Sequence, residues 1–118
     1  MTQILIIDDS KMVLYALQRL LEEQDMSVKT VESCEAGLEY LEEQTPDLII
    51  LDLMLPGMSG NQFFKQIKED EKTGAIPVIV LTADTDAQKW EKELEKADRF
   101  MTKPFANEEL VTAIKELL

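Results

Sequence analysis

Five short apolar runs alternate along the chain with segments of helical periodicity. The runs are Gln3 to Ile7, Ser27 to Val31, Asp47 to Leu51, Val78 to Thr82 and Arg99 to Thr102. In the first, third and fourth the aliphatic residues are continuous (Ile4-Leu5-Ile6-Ile7, Leu48-Ile49-Ile50-Leu51, Val78-Ile79-Val80-Leu81), as in strands covered on both faces. The second and fifth are more polar and read as edge strands. Within Ser10 to Gln24, Val13, Ala16, Leu17, Leu20 and Leu21 fall at helical spacing, and Leu110, Ile114, Leu117 and Leu118 do much the same in the last segment. Ser59-Gly60-Asn61-Gln62 and Thr85-Asp86-Ala87-Gln88 have the form of capping boxes and start the third and fourth helices.

A β-α unit repeated five times predicts an α/β fold: a doubly wound five-stranded parallel sheet with right-handed crossovers and helices on both faces. In such a sheet, sites form beyond the carboxyl ends of the strands, where strand order reverses. Asp8 and Asp9 follow the first run, Asp52 the third and Lys103 the fifth, while Thr82 closes the fourth. One crevice thus collects three carboxylates, a hydroxyl and an ammonium. The loop from Asp52 to Gly60 carries Pro56-Gly57, which favours a tight turn, and Gly60, which permits a close approach that a side chain would block.

Composition narrows the partners. A chain of 118 residues with 45% apolar content suits one domain, taken here as residues 1–118, with a real core. Acidic residues outnumber basic ones 24 to 12, for a net charge of −12, so the surface field repels phosphate backbones and anionic membranes and argues against direct nucleic-acid binding. No run is long enough to span a bilayer, and Met1-Thr2-Gln3 leads into the first strand without a basic n-region, so a cytoplasmic location is expected. The single Cys34 has no internal disulfide partner and reads as a small core hydrophobe. The absence of histidine excludes Ser-His-Asp and Cys-His nucleophile systems.

Taken singly, each candidate has a plainer reading. Asp8-Asp9 could cap a helix, Asp52 could open a Pro-Gly turn, Lys103 could be a surface lysine before Pro104, and Thr82 could be an ordinary β-branched strand residue. Taken together and in order, Asp8-Asp9, Asp52 within Leu53-Met54-Leu55-Pro56-Gly57-Met58-Ser59-Gly60, Thr82-Ala83 and Lys103-Pro104-Phe105 resemble the receiver domains of two-component response regulators over the whole chain. The resemblance implies a flavodoxin-like sheet with strand order 2-1-3-4-5. It implies that Asp52 accepts a phosphoryl group from the phosphohistidine of a histidine kinase or phosphotransfer protein. Asp8, Asp9, Asp52 and the backbone carbonyl of Met54 would surround Mg²⁺, or Mn²⁺ in its place. Lys103, the Thr82 hydroxyl and the Ala83 amide would bind phosphoryl oxygens, and Lys103-Pro104 would be cis.

Thr82 and Phe100 would form the switch, and the face of the fourth helix, fifth strand and fifth helix, with Trp90, would meet an output protein or domain. The implied function is a signalling switch and not an enzyme for an external substrate; autophosphotransfer and autodephosphorylation would be its only chemistry. One alternative is a receiver-like adaptor that acts without phosphorylation. Another is a phosphatase of haloacid-dehalogenase type, against which stands Met54, where that family needs a second Asp as acid/base. Glu95-Lys96-Ala97-Asp98 also lacks the glycine that family members usually carry after the fourth helix, so that helix is expected to end irregularly.

Overall fold

In this computed structural model, residues 1–53, 55, 57–82, 97–102 and 105–118 are described, residue 82 by its backbone alone. Strands β1 (Gln3–Ile7), β2 (Ser27–Val31), β3 (Leu48–Asp52), β4 (Val78–Thr82) and β5 (Arg99–Thr102) form one parallel sheet in the order β2-β1-β3-β4-β5. The described helices are α1 (Lys11–Glu22), α2 (Cys34–Glu43), α3 (Gly60–Glu69) and α4 (Asn107–Leu117). The predicted fourth helix, with its Thr85 to Gln88 capping box and Trp90, lies outside the described residues, so α4 is the last predicted helix.

Alternation along the central strands explains why their sequences are apolar throughout. Leu5 and Ile7, Ile49 and Leu51, and Val78 and Val80 pack on one face with Leu41, Phe63, Phe64 and Ile67 of α2 and α3. Ile4 and Ile6, Leu48 and Ile50, and Ile79 and Leu81 pack on the other face with Leu14, Leu17 and Leu21 of α1 and Leu110 and Ile114 of α4. Each strand residue therefore meets a core whichever way it points. β2 and β5 are the sheet's edges, as their polarity predicts.

Two expectations shift. The third strand runs from Leu48 to Asp52 and not from Asp47, because Asp47 pairs back to the start of β1: its N–H donates to the Gln3 carbonyl and its carboxylate accepts the Gln3 N–H. On α1 the buried stripe is Leu14, Leu17 and Leu21; Val13 and Leu20 flank it half-buried and Ala16 is exposed. The helix carries more apolar residues than its buried face can hold, so spacing alone does not select the stripe. On α4, likewise, Ala113 joins Leu110 and Ile114 in the core while Leu118 is exposed.

Local chemistry fixes the helix ends. The Ser10, Ser33 and Ser59 side chains accept the Val13, Ala36 and Gln62 N–H groups, and the Gln62 side chain accepts the Ser59 N–H, completing the predicted capping box. At the far end of α3, the Lys68 ammonium donates to the Gly74 and Ile76 carbonyls and pairs with Asp98, whose carboxylate accepts the Val78 N–H. Lys72 donates to the Leu41 and Glu42 carbonyls at the end of α2. No described helix is long and apolar enough to cross a membrane.

Burial of both sheet faces sets an expectation for stability. Ile50→Ala, at a site almost wholly buried in β3, is expected to cost about 2–5 kcal/mol, whereas Lys29→Ala on exposed edge strand β2 is expected to stay within about 0.5 kcal/mol. Urea unfolding of the two variants checks the difference.

Candidate functional site

The strand order reverses between β1 and β3, which leave the sheet centre in parallel with Ile7 opposite Leu51. The next residue on each strand is an aspartate, so the register sets Asp8 and Asp52 side by side at the carboxyl edge. Asp8 is 2% exposed and Asp52 6%, while Asp9 points to solvent. One carboxylate oxygen from each of the three lies within 4.8 Å of the others.

Such a cluster opposes folding by itself. Two unit charges about 4.8 Å apart repel by roughly 3–4 kcal/mol at an effective dielectric near 20, and less where one of them, as with Asp9, is in water. The chain fixes the carboxylates nonetheless. An Asp8 Oδ1 accepts the Ser10 N–H at 2.9 Å, and the Asp8 N–H donates to the Val31 carbonyl of β2. The side chain that caps α1 is that of Ser10, which leaves the two aspartates out of the capping role. Asp52 is held as the last paired residue of β3, opposite Leu81 of β4.

α3 presses on this edge from below. A Cβ on Gly60 would stand 2.7 Å from Leu53 Cα and 2.8 Å from the Asp52 carbonyl oxygen, both backbone atoms. Only glycine lets the helix start against the chain directly after the aspartate. The donor set is three hard carboxylate oxygens, with Asp9 open to solvent. That chemistry fits a small divalent cation that keeps part of its water shell, as Mg²⁺ does.

Of the other sequence candidates, Thr82 ends β4 and pairs with Thr102 of β5, which places its backbone at the same edge. Phe100 lies on β5 opposite Val80, half-buried against the core shared with α2 and α3. Met54, Pro56, Ala83, Lys103 and Pro104 lie outside the described residues.

Three residues near the edge carry no sequence signal strong enough to single them out for the site. Ser10 is read in sequence only as the first residue of the first helical segment, and folding sets its N–H on Asp8 and its side chain at the start of α1. Cys34 is fully buried, and burial, then the Glu35 and Asp52 carboxylates, push its thiol up to about 12, so it stays protonated and inert. Glu35, an exposed helical acid in sequence, accepts the Met58 N–H across the loop that follows Asp52.

The sequence model of the response regulator receiver domain matches residues 4–115. Among curated proteins, the chain is 38% identical over 117 residues to the phosphate regulon transcriptional regulatory protein PhoB of Escherichia coli, covering 98% of this chain and 51% of that one. It is 34% identical to protein PilH of Pseudomonas aeruginosa, covering 100% of this chain and 98% of that one. The chain thus spans about half the length of PhoB and nearly all of PilH. Among solved structures, the receiver domain of a signal transduction histidine kinase from Syntrophus aciditrophicus superposes with a TM-score of 0.93 at 34% identity, covering 100% of this chain and 90% of that one. Response regulator protein TrrA from Thermotoga maritima, in complex with Mg²⁺-BeF, superposes with a TM-score of 0.91 at 30% identity, covering 100% of both chains.

The tight start of α3 makes Gly60 a sensitive position. Gly60→Ala is expected to cost about 1–3 kcal/mol, since backbone and not a flexible side chain must give way. Its urea midpoint, compared with that of the unaltered protein, measures the cost.

Proposed function

Because the chain belongs to the response regulator receiver domain family of two-component systems, whose members are regulatory phosphoacceptors and not classical enzymes, we propose that it is a phosphorylation switch with Asp52 as acceptor. Residues 1–118 are read as one receiver unit, in a cytoplasmic protein. The observation that carries the reading is the convergence of Asp8, Asp9 and Asp52 at the point where strand order reverses. The structure of TrrA in complex with Mg²⁺-BeF supports a divalent cation as the partner of this acidic edge.

In this reading Asp8, Asp9, Asp52 and the Met54 carbonyl would hold Mg²⁺. When bound, the ion would offset the carboxylate repulsion and the charge of the incoming phosphoryl group. An Asp52 carboxylate oxygen attacks the phosphorus of a histidine kinase or phosphotransfer protein's phosphohistidine in line. The O–P bond forms as the P–N bond breaks, and the electron pair leaves with the imidazole nitrogen, which takes up a proton. Hydrolysis later returns Asp52 to its carboxylate. The chain's own part is to hold Asp52 still at the end of a paired strand, which is the positioning that phosphoryl transfer depends on.

Lys103 is assigned to the phosphoryl oxygens as the second cation, with the Thr82 hydroxyl and the Ala83 N–H as neutral donors. A phosphoryl group adds roughly −1.5 to −2 charge and three acceptor oxygens. Movement of Thr82 toward it, with Phe100 following, would alter the face made by β5, α4 and the segment between β4 and β5, where an output protein or domain would bind. Phosphotransfer profiling against candidate histidine kinases reads out the phosphodonor.

Acetyl phosphate with Mg²⁺ is expected to add one phosphoryl group to the protein and none to Asp52→Asn, as read by intact mass; equal labelling of both would move the acceptor elsewhere. Binding of Mg²⁺ to the folded state alone is expected to raise the melting temperature, by linkage that reaches about 2.7 kcal/mol at a hundredfold excess over the dissociation constant. Asp9→Ala, with one ligand fewer, should show a smaller rise at the same Mg²⁺ concentration. Calorimetry with and without millimolar Mg²⁺ measures both.

A further inference from the structure

The loop that leaves Asp52 is tied down at two places. Near its start, the Leu55 and Gly60 N–H groups both donate to the Leu53 carbonyl, at 3.1 and 3.4 Å. Further along, the tie comes from another element. Glu35, in the first turn of α2, accepts the Met58 N–H on Oε1 at 3.3 Å, a contact between residues 23 apart in sequence. Its other oxygen, Oε2, lies 2.9 Å from where a Cβ on Gly57 would stand, and Gly57 has a φ of 76°. Glycine is needed there twice over, for the left-handed backbone and for the seat of the carboxylate.

Glu35 suits this seat on physical grounds. A charged acceptor binds an N–H more strongly than a neutral one, and the N-terminus of α2 favours negative charge. The Cys34 thiol feels both the Glu35 and the Asp52 carboxylates, so all three groups belong to one small region. Leu55 and Met58 are half-buried against the core under α2 and α3, which gives the loop apolar footing while Glu35 supplies a directional tie.

We propose that Glu35 is a positioning residue of the acidic site, its carboxylate fastening the loop at Gly57-Met58 to α2 and so setting the course of the chain out of Asp52. The inference rests on the phosphoacceptor reading and goes further by naming a group that acts through the loop, without touching the phosphoryl group or the metal. With Gly57 and Met58 already ordered against α2, that part of the loop after Asp52, itself a proposed metal ligand, needs no ordering when the ion arrives. Loss of the tie moves that ordering into the binding step and weakens it.

The experiment compares the unaltered chain with Glu35→Ala, Glu35→Gln and the control Glu39→Gln, which removes the same charge one turn further along α2 at an exposed position. Met58 amide hydrogen exchange is measured first, without metal. Glu35→Ala should speed it about fivefold or more, while Glu35→Gln, which keeps an acceptor, and Glu39→Gln should stay within about twofold. The Mg²⁺ dependence of labelling by acetyl phosphate is measured next. Glu35→Ala should need about fivefold more Mg²⁺ for half-maximal labelling, with the rate at saturating Mg²⁺ within about twofold and Glu35→Gln close to the unaltered chain. Met58 exchange unchanged in Glu35→Ala would overturn the proposal, as would faster exchange with an unshifted Mg²⁺ dependence. Mg²⁺ shifts in Glu35→Gln and Glu39→Gln as large as that of Glu35→Ala would also overturn it, by showing that charge alone acts. Failure of the unaltered chain to be labelled would instead sink the phosphoacceptor reading, with the Met58 exchange still deciding whether the tie exists.

Discussion

The parallel pairing of β1 with β3 is the constraint on which the site depends. With Ile7 opposite Leu51, a residue added to either strand comes out beside its counterpart, and both are aspartates. A slip of one residue would break this match and would also turn Ile4, Ile6, Leu48 and Ile50 out of their core toward the opposite face. The same apolar packing that fixes the register therefore fixes the distance between carboxylates. Among the described residues, the Ser10 N–H on Asp8 adds a polar tie to that packing.

The arrangement has a cost in electrostatics. Three acid groups within 4.8 Å of one another at a largely buried edge repel one another, and the two-faced hydrophobic sheet helps hold them in place. In the proposed function such an edge would bind a cation and then an anion, because each step would relieve the charge left by the one before. Acidity is concentrated at the site but belongs also to the whole chain, whose net charge is −12.

Packing around the edge is close where the chemistry needs stillness. Gly60 lets α3 begin against the backbone of Asp52 and Leu53, and from there Phe63, Phe64 and Ile67 seat the helix on the sheet. Its far end is pinned through Lys68, which gathers the carbonyls of Gly74 and Ile76 and the carboxylate of Asp98 at the entry to β5. α3 thus runs as a strut from the end of β3 at Asp52 to the start of an edge strand. Ser59 and Gln62 cap its site end reciprocally, so the strut is least free to fray where it meets Asp52.

The sequence by itself determined the parallel sheet, because unbroken aliphatic runs of strand length make sense only with helices on both faces. It determined the edge strands by their polarity, the α3 start by its capping box, and Asp8, Asp9 and Asp52 as candidates by their place at the ends of the runs. Tertiary structure decided what local pattern leaves open. Asp47 left β3 because the start of β1 offers its backbone a partner, and Leu14 displaced Ala16 from the buried stripe of α1 because the sheet admits only one face of a helix with apolar residues to spare. Glu35 was illegible for the same reason: an exposed acid in a first helical turn looks like any other until folding brings the Met58 N–H, from a loop 23 residues away, within its reach. Local sequence fixes what each residue prefers, and only the packed chain fixes what it meets.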